Sequence, residues 1–180
     1  MDSLRGQLLI AGSGLIDPNF RRAIVLVGHH DEEGAVGVVL NRPTEATVWD
    51  SVPQLGPLVG PEDRIFVGGP VQPQGAVVLA EFDQPDRAEL LAFDRVGFLT
   101  GDVDAGVVDG IERARIFAGY AGWGPGQLEE EMQQDSWILE RARADDVFTP
   151  APDGLWADLL RRKGGDFALM ATMPVDPTLN

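Results

Sequence analysis

Cysteine is missing altogether, and the 180 residues hold one tyrosine and two histidines. The missing thiols remove disulfides, thiolate metal sites and cysteine nucleophiles together, and they fit a reducing compartment. The two histidines, His29 and His30, are adjacent, so the chain has neither an H-x-H nor an H-x-x-x-H spacing. On a strand, neighbouring imidazoles point to opposite faces, which excludes a histidine-rich metal centre. Basic residues are scarce as well. Fourteen of them face 29 acidic ones, for a net charge of −15. That field repels phosphate backbones and anionic lipid, because nucleic-acid affinity comes from Lys and Arg contacts to phosphate. Long apolar runs are also absent: "AIVLVG" and "FALMAT" are far too short to span a bilayer. The N-terminal "MDSLRGQLLIAGSG" lacks the basic region and long apolar core of a signal peptide. The expectation is a cytoplasmic protein that binds neither nucleic acid nor membrane.

What is present reads as one ordinary globular domain. Hydrophobic residues make up 44% and charged residues 24%, and a chain of this size buries roughly 70% of its unfolded surface without a staple. "QLLIA" predicts a first strand, and Asp17 followed by Pro18 predicts a capped helical turn. "AIVLVGHH" and "AVGVVLNRP", separated by "DEEG", predict a hairpin deep in a sheet, because both runs are apolar on both faces. Thr44 is the expected cap of a short helix in "TEATVWDSV". "RIFVGGP" and "AVVLAEF" are expected to pair as strands across the loop "GGPVQPQG". "LLAFD", "VGFLTG", "ARIFAGY" and "SWILERAR" add further strands. "DVDAGVVDGIER" suits a helix capped by Asp102. "PDGLWADLLRRKGG" suits another, from Asp153 to a stop at Gly164. "FALMATM" fits helix or strand equally. Strands broken by isolated helices favour α+β.

Chemistry concentrates in "GYAGWGPGQLEEEMQQDSW", Gly119–Trp137. Gly122, Gly124 and Gly126 sit where a nucleotide loop would, but Pro125 has no N–H for an anion, and Glu129–Glu131 already meet the positive end of the following helix. A strand–turn–helix corner fits better, with Trp123 and Trp137 packing where the chain folds back. In that corner Gln127 or Glu129 is expected to turn inward and bond the Asp17–Phe20 and Asn41–Pro43 segments. The remaining glutamates form a solvated run. Arg42 is expected to pair with Glu129 or Asp17. Ser13, Ser51 and Ser136 lie in no nucleophile elbow.

Three stretches, "DPNFRRAIVLVGHHDEEGAVGVVLNRP", "FVGGPVQP" and "GYAGWGPGQLEEEM…SW", in this order and spacing, closely resemble the AlgH/YqgE family of bacterial proteins, from about Gly6 to Trp156. The family's pattern falls on Asp17, Pro18, Asn19, Phe20, His30, Gly34, Gly37, Asn41 and Pro43. It continues through Gly68, Gly69, Pro70, Gly119, Tyr120, Gly122, Trp123, Gly126, Gln127, Leu128, Glu129 and Glu131. Ala80 departs from it, standing where the family commonly has histidine. The resemblance implies an α+β domain with a bifurcated, partly barrel-closed, mixed or antiparallel sheet flanked by helices. It brings no agreed activity and no cofactor.

The expectation is therefore a protein that binds a protein partner in a regulatory role. The alternative is a small-molecule binder or enzyme using a polar, glycine-rich cleft. The candidate binding residues are Asp17, Asn19, Asn41, Arg42, Gly68, Gly69, Tyr120, Trp123, Gln127 and Glu129. No catalytic residue, metal ligand or cofactor site is assigned.

Overall fold

The computed structural model describes residues 2–99 and 109–173. Ten strands form the sheet: β1 (Gln7–Ala11), β2 (Ile24–Asp31), β3 (Gly34–Val39), β4 (Pro43–Thr47), β5 (Arg64–Val67), β6 (Val71–Phe82), β7 (Leu90–Phe93), β8 (Val96–Leu99), β9 (Ile111–Trp123) and β10 (Trp137–Arg141). The main path runs β10-β1-β2-β3-β9-β6-β8-β7. The predicted hairpin β2–β3 lies within this path, with Asp31 opposite Gly34 at its turn. Register slips between Val27 and His29, a bulge centred on Gly28. The sheet divides at β9. This strand pairs β6 along most of its length, β3 through Ala121–Trp123, and β5 in parallel through Phe117–Ala118.

Several expectations need correction. β5 and β6 do not pair with each other; each pairs with β9, which separates them. From Val71 onward the segment read as their connecting loop already belongs to β6, with Val71 opposite Tyr120, which leaves Gly68–Pro70 as the connection. The short helix α1 (Val48–Ser51) is capped by Thr47, whose side chain accepts from Asp50 N, while Thr44 lies in β4. The helix expected from Asp102 falls mostly outside the described residues, and Ile111–Arg113 belongs to β9. The sheet is also not partly closed into a barrel. It curls β7 and β8 toward β2, but no ladder joins them among the described residues. The Phe98 ring lies against Gly28, where a Cβ would come within 2.7 Å of it. A side chain thus fills the interval that a ladder, with strands about 4.8 Å apart, would need.

The helices are short, and packing rather than propensity holds them. α2 (Gln127–Gln133) follows β9, and α3 (Ala144–Val147) follows β10. α4 (Leu155–Lys163) buries Leu155, Trp156, Leu159 and Leu160 on one face, each contributing about 1.5–3 kcal/mol of apolar burial. Trp156 Nε1 also donates to Ala11 O at 2.9 Å, which ties α4 to β1. Gly164 ends α4 at a positive φ of 79°, as expected; the cap at its start is Gly154 rather than Asp153. α5 (Asp166–Met170) resolves the ambiguous "FALMATM" as helix.

Candidate functional site

At the corner, two glycine pairs allow main chain to cross main chain. A Cβ on Gly68 would stand 2.3 Å from Gly119 O, and one on Gly69 would stand 2.2 Å from Tyr120 C and O. Gly119 itself has φ 75°, a region that side chains avoid. This crossing sets the course of β9 into Trp123 and α2. Gly68 and Gly69 are thus backbone devices, with Gly68 N donating to Ala118 O and Gly68 O accepting from Val39 N.

Beyond the crossing, three aromatic rings meet. Phe20 stacks on Trp123 at 6.2 Å between centroids, and both meet Trp137 edge-on. Such pairs contribute roughly 0.5–1.5 kcal/mol each beyond area burial. One carboxylate oxygen serves both indoles: Glu131 Oε1 accepts from Trp123 Nε1 at 3.3 Å and from Trp137 Nε1 at 3.1 Å. The inward glutamate of the solvated-looking run is therefore Glu131. Gln127 stays exposed, its Oε1 accepting from Gly124 N at 3.0 Å. Neither Gln127 nor Glu129 bonds the Asp17–Phe20 or Asn41–Pro43 segments. The link to Phe20 is aromatic, because the short turn at Gly124 points Trp123, rather than a polar side chain, toward it.

Glu129 instead reaches back to the β2–β3 hairpin. Its Oε1 lies 2.5 Å from Nε2 of His30, whose side chain is 3% exposed. The other ring nitrogen, Nδ1, accepts from Leu4 N at 2.9 Å. A backbone N–H only donates, so Nδ1 keeps its lone pair and the hydrogen resides on Nε2, directed at Glu129. Both nitrogens are committed within the chain, which leaves no lone pair for a metal or for general-base work. His29, on the opposite face, is exposed and bonds Asp31 at 2.7 Å. Among the described residues no group of three or more histidines and carboxylates could hold a metal.

The Glu129 carboxyl is held below the usual carboxylate range, first by its own backbone N–H and then by the His30 hydrogen bond. A depressed folded pKa adds stability above the unfolded value, and that contribution disappears as pH falls through the folded one. The expected result is a stability gap between the wild type and Glu129→Gln that is present at pH 6. It closes below about pH 4.3, the ordinary range of an unfolded glutamate. Urea unfolding at stepped pH measures it, and a gap that persists unchanged to pH 3 would refute the assignment.

The remaining sequence candidates gather elsewhere. Asp17 Oδ1 accepts from Asn19 N at 2.8 Å, closing the predicted turn. Asn41 accepts from Ile24 N and donates to Arg22 O, both at 2.9 Å. Arg42 pairs with neither Glu129 nor Asp17; it donates to Pro18 O and Arg21 O, each at 2.7 Å. Two loop carbonyls take its hydrogen bonds, while Glu129 is committed to His30. The ten candidates therefore divide among the glycine crossing, the aromatic corner with α2, the Asp17–Asn19 turn and the Asn41–Arg42 contacts to the Arg21 and Arg22 carbonyls, rather than converging on one cleft.

Sequence reasoning missed the space inside the curl of the sheet. A cavity of about 370 Å³ lies between the β2–β3 hairpin and β6–β9, lined by Val36, Val38, Val77, Leu90, Phe98 and Tyr120, with Gly28, Gly37 and Glu89 completing it. Only Tyr120 was a candidate. The others are ordinary strand residues, and their convergence depends on the curl. Val36, 37% exposed, signalled it faintly as an apolar residue facing outward from a central strand.

An open, curled sheet of ten strands with short helices, threaded by a glycine crossing and closed at one corner by aromatic rings and a glutamate, makes this an α+β protein. Comparison with known proteins gives its family. Residues 8–168 match the family model described as AlgH-like. The chain is 44% identical over 187 residues to a UPF0301 protein of Streptomyces coelicolor, covering 100% of this chain and 97% of that one. It is 41% identical to a UPF0301 protein of Rhodococcus opacus over 181 residues, covering 97% and 90%. Among solved structures it resembles protein DIP2367 of Corynebacterium diphtheriae, with TM-score 0.86, 26% identity and coverage of 96% and 93%. It also resembles the AlgH protein of Pseudomonas aeruginosa, with TM-score 0.73, 29% identity and coverage of 96% and 95%. The chain belongs to the AlgH-like family. No helix among the described residues is long and apolar enough to cross a membrane.

Proposed function

We propose that the chain is a binding protein whose ligand is a small apolar molecule held in the cavity between the β2–β3 hairpin and β6–β9. The observation that supports this is the lining. Six large side chains from the five strands β3, β6, β7, β8 and β9 converge on about 370 Å³, at the small end of known ligand sites. Its polar groups are few: the Tyr120 hydroxyl and the Glu89 carboxylate, which would orient one hydrogen-bonding group of an aromatic or branched aliphatic ligand. Glu89 and Tyr120 are the only ionisable side chains of the lining, and no histidine, serine or threonine accompanies them there, so the reading is capture and release rather than turnover. A regulatory role would follow from occupancy, through the β2–β3 hairpin that forms one wall.

N-phenyl-1-naphthylamine, a neutral apolar fluorophore, tests the reading. With about 17 heavy atoms at roughly 0.4 kcal/mol each, it should bind one site with a Kd on the order of 10 µM. Val77→Phe, which adds bulk inside the lining, should weaken it at least tenfold while the protein stays folded. Absence of saturable binding, or equal binding by the variant, would overturn the ligand reading in favour of a protein partner.

A further inference from the structure

A second hollow, which shares no lining residue with the cavity, carries the opposite chemistry. It has a volume of about 230 Å³, and its lining includes Arg21, Arg22, Asn41, Arg42, Asp153 and Trp156. Three of the fourteen basic residues of a chain with net charge −15 converge here. Neither Arg22 nor Arg42 has a carboxylate within 4.0 Å among the described residues. Elsewhere Arg87, Arg95, Arg113, Arg161 and Arg162 each hold at least one acid, whereas Arg115, like Arg22 and Arg42, bonds main-chain carbonyls.

The hollow is built rather than incidental. Asn41 binds the Arg22 carbonyl and Arg42 binds the Arg21 carbonyl, so the Asn41–Arg42 dipeptide fixes the main chain of the Arg21–Arg22 pair. Arg22 sits at φ 56°, a conformation that a non-glycine residue adopts only when its surroundings impose it. Its guanidinium lies 4.4 Å over the Trp156 ring and donates to Met173 O at 2.5 Å. Burial lowers the pKa of Arg22 and Arg42; Arg21 pushes Arg22 the same way, whereas Asp17 opposes the fall at Arg42. Partly desolvated guanidinium groups facing one space, tied to neutral carbonyls and an aromatic ring, retain N–H groups for an oxyanion. The start of α4 adds to the same wall through Trp156 and Ala157, and its cap Gly154 offers no competing side chain.

We propose that this hollow binds a small, multiply charged oxyanion, a phosphate or dicarboxylate group, through Arg22 and Arg42, with Asp153 moderating the affinity. Asp153 is the single acid of the lining; it is exposed and holds no ion pair among the described residues. The site is separate from the apolar cavity, and its test is independent of that reading.

Calorimetric titration of the full chain with inorganic phosphate and, separately, with malonate decides the matter, with sodium chloride at equal ionic strength as control. Saturable binding of either above the chloride control is expected, and the stronger of the two assigns the ligand class. Arg22→Gln should weaken it at least tenfold. Asp153→Asn should tighten it about threefold by removing like charge. Neither anion binding above chloride, or a folded Arg22→Gln protein that binds as the wild type does, would overturn the proposal. If Arg22→Gln does not fold, an unchanged Kd in Asp153→Asn overturns it equally.

Discussion

Gly69→Ala is expected to cost at least about 4 kcal/mol, a large share of the 5–15 kcal/mol that holds an ordinary domain together. The added Cβ would stand 2.2 Å from Tyr120 C and O and 2.5 Å from Ala121 N, while Gly69 itself has φ 154°. All three atoms are main chain of β9, so no rotamer change relieves the clash. β9 would have to move where it pairs with β3 through Ala121 and Trp123, and the aromatic corner would move with it. Gly126→Ala is the control. That glycine also has positive φ, at 74°, but its Cβ would meet nothing within 4 Å, so only the backbone cost of about 1–2 kcal/mol remains. For a chain of this length 1 kcal/mol corresponds to roughly 2–4 °C. Thermal unfolding should therefore separate the two variants by several degrees. Equal melting temperatures would show that the crossing tolerates a side chain.

The glycine crossing marks where the sequence could be read and where it could not. Local signals located the β2–β3 hairpin, because turn residues between two β-branched runs specify their own partner. They also located α4, whose apolar face and glycine stop lie within one stretch. β9 exposes the limit. Its apolar pattern announced a strand, but nothing local says that one strand serves β3, β5 and β6 at once. The apparent β5–β6 pair was therefore assigned to the wrong neighbour. The glutamate run failed for a related reason. Helix geometry shows that three consecutive carboxylates fan apart, yet which one faces the tryptophans depends on how Trp137 returns along β10. Glu131 became visible as the inward residue only with Trp123 and Trp137 both on its side. The cavity and the arginine hollow are products of tertiary curl and loop return. Their residues, Val36 or Arg22, look like unremarkable strand and turn positions in isolation.

His30→Ala should be the most damaging substitution among the polar residues of the corner, at about 3 kcal/mol. The imidazole is nearly fully buried, and it satisfies a backbone donor, Leu4 N, that has no other partner among the described residues. Truncation leaves that N–H unpaired at a cost of roughly 1–3 kcal/mol and removes the packing of the ring as well. Glu129→Ala removes the other end of the same chain of bonds, but at 28% side-chain exposure water can replace much of what is lost, so about 1 kcal/mol is expected. Glu130→Ala should change little, because its one side-chain hydrogen bond among the described residues is a 3.5 Å bond from Gln134 on the exposed face. His29→Ala likewise removes only an exposed pair with Asp31. The order His30, then Glu129, then Glu130 and His29 together is the signature of a relay that ends in a buried main-chain donor. Urea unfolding of the four variants measures it. If Glu129→Ala proved as costly as His30→Ala, the carboxylate rather than the Leu4 amide would be the group the histidine serves.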